Sequence, residues 1–133
     1  MENKRETKSH GIRLLLVDDE AAFVAILAKR LSKRDMAVTT ACCGTDAIQA
    51  LRRHDFDVAV LDLKMEEMDG IEILKIFKKL DPKMEVIMLT GHGSEQAARE
   101  GIEYGAYDYL TKPCELEDLM KKIKEAYKAR HGR

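Results

Sequence analysis

Four short apolar runs punctuate this chain, at residues 12–17, 58–61, 86–89 and 107–110. Each gives way to polar side chains of distinct chemistry. Asp18-Asp19 follow the first, Asp62 the second, Thr90 the third, and Lys112-Pro113 stand just past the fourth. Continuous apolar runs of this length read as strands covered on both faces. Between them lie segments with apolar residues at helical spacing. Strict alternation of the two kinds leaves few architectures, and right-handed crossovers turn it into a doubly wound α/β fold with a parallel sheet. In such a sheet the strand ends lie side by side along one edge, and ligands bind in that crevice. Three carboxylates, a hydroxyl and an ammonium from distant parts of the chain should therefore converge.

In detail, the pattern predicts strands near 12–17, 36–41, 57–61, 84–89 and 106–110. The second is the most polar and reads as an edge or near-edge strand. Helices are predicted near 20–33, with Phe23, Leu27 and Leu31 on one stripe, and near 45–53, after Gly44. A third follows Asp69-Gly70, where Asp69 and Glu72 form a capping-box pair. Its stripe is Ile73, Phe77 and Leu80, and Asp81-Pro82 ends it. Ser94 is expected to cap a short fourth helix ending near Gly101 to Gly105. A fifth covers 115–128, with Leu116, Leu119, Met120, Ile123 and Tyr127 facing inward. Residues 1–11 read as a flexible tail, 12–129 as one domain and 130–133 as a C-terminal tail.

Composition narrows the function classes. The chain has 133 residues, 45% hydrophobic and 35% charged, which is one ordinary globular domain. A net charge of −1 supplies no general attraction to nucleic acid or anionic membrane. No apolar run approaches a membrane span, and the polar start of the chain is no signal peptide, so the expected address is the cytoplasm. Cys42, Cys43 and Cys114 have neither metal spacing nor a disulfide framework and read as reduced thiols.

Three carboxylates gathered in one crevice repel one another, so one must be neutral or a cation must be present. Oxygen-only ligands favour a hard divalent ion, Mg²⁺ above all. Asp19 taken alone could be a helix N-cap, but that leaves Asp18 unexplained. A flavin or nucleotide site would need a phosphate-cradling loop after the first strand, where this chain has Val17-Asp18-Asp19-Glu20. A phosphatase of the haloacid-dehalogenase type would want a second Asp two residues past its nucleophile, where Asp62 is followed by Lys64.

The segments LLLVDDE, VAVLD, MDG, VIMLTGHGS and GAYDYLTKP, in that order and spacing, resemble a response-regulator receiver domain, the phosphoacceptor half of two-component signalling. The phrasing around TGHGS and GAYDYLTKP is most similar to receivers of enhancer-binding transcription activators. The resemblance implies a flavodoxin-like (βα)5 fold with strand order 2-1-3-4-5. It implies that Asp62 accepts a phosphoryl group from a histidine kinase. Asp18, Asp19, Asp62 and the backbone carbonyl of Lys64 would hold Mg²⁺. Thr90 would donate its hydroxyl to the phosphoryl group, and Lys112, beside a cis Pro113, would pair with Asp62 and then with the phosphate. Tyr109 occupies the aromatic switch position, and the output surface would be helix 4, strand 5 and helix 5.

On this reading the chain is a signalling switch that slowly hydrolyses its own acyl phosphate, rather than an ordinary enzyme. It acts through an output domain or a protein partner, with room for a homodimer on activation and no direct contact with nucleic acid or membrane. A pseudo-receiver that binds partners without phosphotransfer is the competing class, against which all five site residues stand intact. Glu66 departs from the family, which often has Pro there, and makes the loop more acidic. Lys64 and His92 flank the site, where they could modulate hydrolysis.

Overall fold

The computed structural model describes residues 11–66, 68–91 and 93–131. Residues 1–10 of the tail predicted at 1–11, together with Glu67 and His92, lie outside them. Five strands and five helices alternate: β1 (Ile12–Val17), α1 (Ala21–Ser32), β2 (Met36–Ala41), α2 (Gly44–Arg53), β3 (Val58–Asp62), α3 (Gly70–Leu80), β4 (Glu85–Thr90), α4 (Glu95–Glu103), β5 (Asp108–Thr111) and α5 (Leu116–His131). The strands form one parallel sheet in the order β2-β1-β3-β4-β5, as expected, with the polar β2 at an edge.

Successive residues of a strand face opposite sides of the sheet, so each central strand feeds two cores. Leu15, Val17, Ala59, Leu61, Val86 and Met88 pack against α2, α3 and α4 through residues such as Ala47, Ile73, Phe77 and Ala98. Leu14, Leu16, Val58, Val60, Ile87 and Leu89 face α1 and α5, meeting Val24, Leu27, Leu31, Leu119 and Ile123. This explains why the runs of β1, β3 and β4 are continuous rather than alternating. Each of these large side chains, wholly removed from water, contributes about 1.5–3 kcal/mol before the entropy of ordering is counted.

Several local details differ from the sequence expectation. Asp69 does cap α3, accepting from the Ile71 N–H at 3.0 Å, but Glu72 turns to Lys75 (3.3 Å) instead of completing the reciprocal pair. Ser94 occupies the N-cap of α4 without a side-chain cap bond. Cys43 caps α2, its sulfur accepting from the Asp46 N–H at 3.5 Å. Leu80 is exposed, because α3 ends there and its buried stripe is Ile73, Leu74 and Phe77. β5 starts later than expected and includes Thr111, since Thr90 pairs with it in the ladder. α5 runs to His131, past the expected helix end near 128.

The late turn of α5 has a physical anchor. Asp57, just before β3 and 3% exposed, accepts from the Arg13 backbone N–H (2.9 Å) and from the Arg13 guanidinium (2.9 and 3.3 Å). Its Oδ1 also meets His131 Nε2 at 3.1 Å and Arg130 Nε at 3.5 Å. Burial pushes this carboxyl's pKa up, but the hydrogen bonds from Arg13 and His131 outweigh it and leave it below the ordinary value. The cluster lies at the edge of the sheet opposite the strand ends that carry Asp18, Asp62 and Thr90.

Candidate functional site

Strand register builds the site. Val17 pairs with Leu61, so Asp18 emerges beside Asp62. Asp62 pairs with Leu89, so Thr90 stands one residue beyond it. Thr90 pairs with Thr111, which brings Lys112 next, its N–H donating to the Thr90 carbonyl at 2.7 Å. The Lys112-Pro113 peptide is cis. Four polar groups far apart in sequence thus occupy neighbouring positions along one edge.

Asp18 is fully buried, with both oxygens engaged. Oδ1 accepts from the Glu20 N–H and Oδ2 from Lys112 Nζ, each at 2.9 Å. Asp19 is half-buried, and its Oδ2 accepts from the Glu66 backbone N–H at 3.0 Å. The N-cap position of α1 belongs to Glu20, so Asp19 points across to the β3–α3 loop rather than capping a helix. A proline at position 66, with no N–H, could not make this bond. Asp62 is 5% exposed, and its Oδ1 accepts from the Lys64 N–H at 3.2 Å.

Asp18, Asp19 and Asp62 each offer a carboxylate oxygen, and these lie within 4.8 Å of one another. Burial, followed by repulsion from Asp18 and Asp19, raises the pKa of Asp62 to about 6, although the Lys64 N–H and Lys112 pull the other way. All-oxygen donors of high charge density fit a hard divalent cation such as Mg²⁺, which would relieve that repulsion.

Lys112 Nζ lies 2.9 Å from Asp18, 3.3 Å from Glu20 and 3.7 Å from Asp62. The expected partner Asp62 is thus the most distant of the three. The ammonium also sits over the Phe23 ring, 4.7 Å from its centroid. Burial lowers the pKa of Lys112, but the bonds to Asp18 and Glu20 and the charge of Asp62 hold it above the ordinary value, so the ammonium stays charged.

Thr90 is fully buried and its Oγ1 has no hydrogen-bond partner among the described residues. An unpartnered buried hydroxyl costs about 1–3 kcal/mol. Gly91 beside it opens onto free space, where a Cβ would meet nothing within 4 Å. Tyr109, half-buried on β5, pairs with Met88 in the ladder and packs against the core on the α4 side. Gly70 closes the β3–α3 loop: a Cβ there would lie 2.6 Å from Leu63 Cα and 2.7 Å from the Leu63 carbonyl oxygen. An apolar groove of about 490 Å³ adjoins the acidic crevice, walled by Phe23, Ile26, Pro113 and Leu116, with Lys112 and Glu20 shared between the two.

Asp18, Asp19, Asp62, Thr90 and Lys112 lie at this edge, Tyr109 stands two ladder positions inside it, and His92 is outside the described residues. The sequence reading missed the roles of Glu20, of Phe23 and of the Glu66 N–H. Glu20 had a signal, since an acidic residue directly after an Asp pair adds to the same charge cluster.

The family model for the response regulator receiver domain matches residues 14–124, which include every one of these site residues. The transcriptional regulatory protein GlrR of Escherichia coli K12 is 37% identical over 113 residues, 85% of this chain and 26% of that protein. The regulatory protein LuxO of Vibrio cholerae is 32% identical over 111 residues, 84% of this chain and 24% of that protein. The chain therefore spans about a quarter of the length of these curated relatives. Among solved structures, a CheY-like receiver domain protein from Methanospirillum hungatei JF-1 superposes with a TM-score of 0.88 at 30% identity, covering 92% of this chain and 98% of that one. A receiver domain protein from Clostridium thermocellum gives 0.86 at 32% identity, covering 90% and 97%. With this family match over nearly the whole described chain, and with the sheet order and strand-end site in place, the chain belongs to the response regulator receiver domain family of two-component signalling.

Proposed function

We propose that this domain is a phosphorylation-controlled switch in which Asp62 takes a phosphoryl group from a histidine kinase. The observation that carries this is the pairing of unmet demands around one carboxylate. Asp62 sits among excess negative charge, while the buried Thr90 hydroxyl beside it has a donor to spend. A phosphoryl group on Asp62 would supply acceptors for that donor and for Lys112. An Asp62 carboxylate oxygen forms the new bond to phosphorus, the phosphorus–nitrogen bond of the phosphohistidine breaks, and the imidazole keeps the electron pair. Asp18, Asp19, Asp62 and the Lys64 carbonyl would hold Mg²⁺, which supplies neutralisation of charge on the incoming group. Water then cleaves the acyl phosphate slowly and resets the switch.

The output follows from the same atoms. Phosphorylation adds roughly two negative charges and strong acceptors. Thr90, neutral and unpartnered, turns toward them, and Tyr109 on the neighbouring strand fills the space it leaves. The surface of α4, β5 and α5 then changes as a two-state population shift. An output domain, a protein partner or a second copy of the domain reads that surface, in the cytoplasm. No helix among the described residues is long and apolar enough to cross a membrane.

NMR with the phosphate mimic beryllofluoride and Mg²⁺ tests the reading. Resonances of the loops around Asp18, Asp62 and Thr90 should move together with those across 94–128. Thr90→Ala should keep the local change and lose most of the remote one. A remote response in Thr90→Ala equal to the parent's would refute the relay.

A further inference from the structure

We propose that Glu20 is a positioning residue that draws the Lys112 ammonium away from Asp62 and releases it when the phosphoryl group arrives. The inference rests on Asp62 being the acceptor and goes beyond it by naming what sets the site's readiness. A lysine ammonium has three N–H donors. Here one goes to Asp18 Oδ2 at 2.9 Å and one to Glu20 Oε1 at 3.3 Å. Asp62 Oδ2, at 3.7 Å, lies beyond hydrogen-bond reach. Lys112 is therefore held on the α1 side of the crevice, over the Phe23 ring.

Glu20 is built for this task by its backbone. It occupies the N-cap of α1, yet its side chain makes no cap bond. Its N–H is tied to Asp18 Oδ1 at 2.9 Å, and its carbonyl accepts from the Val24 N–H at 3.0 Å. The main chain is thus fixed between the acid pair and the helix, and the side chain turns to Lys112 instead of capping.

The two anchors of Lys112 differ in strength. Asp18 is buried, whereas the Glu20 side chain is 67% exposed. An ion pair to an exposed carboxylate is weak and solvent-screened. It yields when a phosphoryl group with roughly two negative charges forms beside the ammonium, while the Asp18 bond persists. Glu20 thus opposes uptake slightly.

Beryllofluoride affinity at fixed Mg²⁺ separates this latch from a general charge effect. Glu20→Gln removes the charge and keeps the reach. Glu20→Asp keeps the charge and, with the backbone fixed, withdraws it from Lys112. Both variants should bind beryllofluoride about two- to fivefold more tightly, the range of one exposed ion pair. The gain of Glu20→Gln should vanish when combined with Lys112→Ala. A purely structural effect on α1 would shift thermal unfolding in both Lys112 backgrounds and leave this coupling at zero. The proposal is overturned if Glu20→Gln binds like the parent, if Glu20→Asp behaves as the parent does, or if the gain persists at full size without Lys112. If the parent itself binds no beryllofluoride, the acceptor reading of Asp62 fails, and the latch fails with it.

Discussion

Replacing the Asp62 carboxylate should make the metal-free domain more stable. Asp62 has an ordinary pKa of 3.8, raised in the fold to about 6, with burial as the first cause and the charges of Asp18 and Asp19 adding to it. Folding therefore strengthens its hold on a proton. The cost of keeping it ionised is absent in acid, grows as pH climbs from about 4, and is complete above about 6. At about 1.4 kcal/mol per pH unit, that cost reaches about 3 kcal/mol. Asp62→Asn removes it but also loses the attraction to Lys112 and buries a neutral amide. The expected net gain is about 1–3 kcal/mol at pH 7.5, or several degrees in Tm for a domain of this size. The assay is urea unfolding in EDTA from pH 4 to pH 8. The variant's advantage should be near zero at the acid end and level off above pH 6. Mg²⁺ should then stabilise the parent more than the variant. A variant equal to or less stable than the parent at pH 7.5 in EDTA would refute the claim that three clustered carboxylates load the site with uncompensated charge.

Asp57→Asn should have the opposite pH signature. Its folded pKa lies below the unfolded one, so the parent's advantage is full at neutral pH and is lost as pH falls through the folded value. Breaking a buried pair costs about 3–5 kcal/mol; with Arg13 half-exposed, about 1–3 kcal/mol is expected in chemical denaturation, with beryllofluoride affinity unchanged. Gly70→Ala should be destabilising by about 1–3 kcal/mol, the range for overpacking, because the added Cβ meets Leu63 backbone rather than a flexible side chain. It should also weaken Mg²⁺ binding, measured by calorimetry, since the displaced loop carries Lys64 and Glu66.

What could be read from the sequence depended on burial. β1, β3 and β4 are covered on both faces, so their apolar runs are continuous and their polar endpoints stand out. Register then fixes which endpoints meet, and Asp18, Asp62, Thr90 and Lys112 fall together as expected. β5 was misplaced by two residues at its start because ladder bonds are made by backbone, and Thr111 joins without any apolar signal. The Asp57 anchor was invisible for a related reason. A lone aspartate before a strand looks like an ordinary boundary residue until Arg13 and the last turn of α5 are placed around it. The Glu20–Lys112 contact depends on the direction of an exposed side chain, which no periodicity encodes. The Glu66–Asp19 bond uses a backbone N–H, so the side-chain pattern carries no trace of it.

The central claim is that Asp62 is the acceptor, and intact-mass analysis tests it most directly. Incubation with acetyl phosphate and Mg²⁺ should add a single phosphoryl group to the parent. Hydroxylamine should remove it, as it does an acyl phosphate, and Asp62→Asn should stay at the unmodified mass. Full labelling of Asp62→Asn, or label on the parent that resists hydroxylamine, would contradict the account.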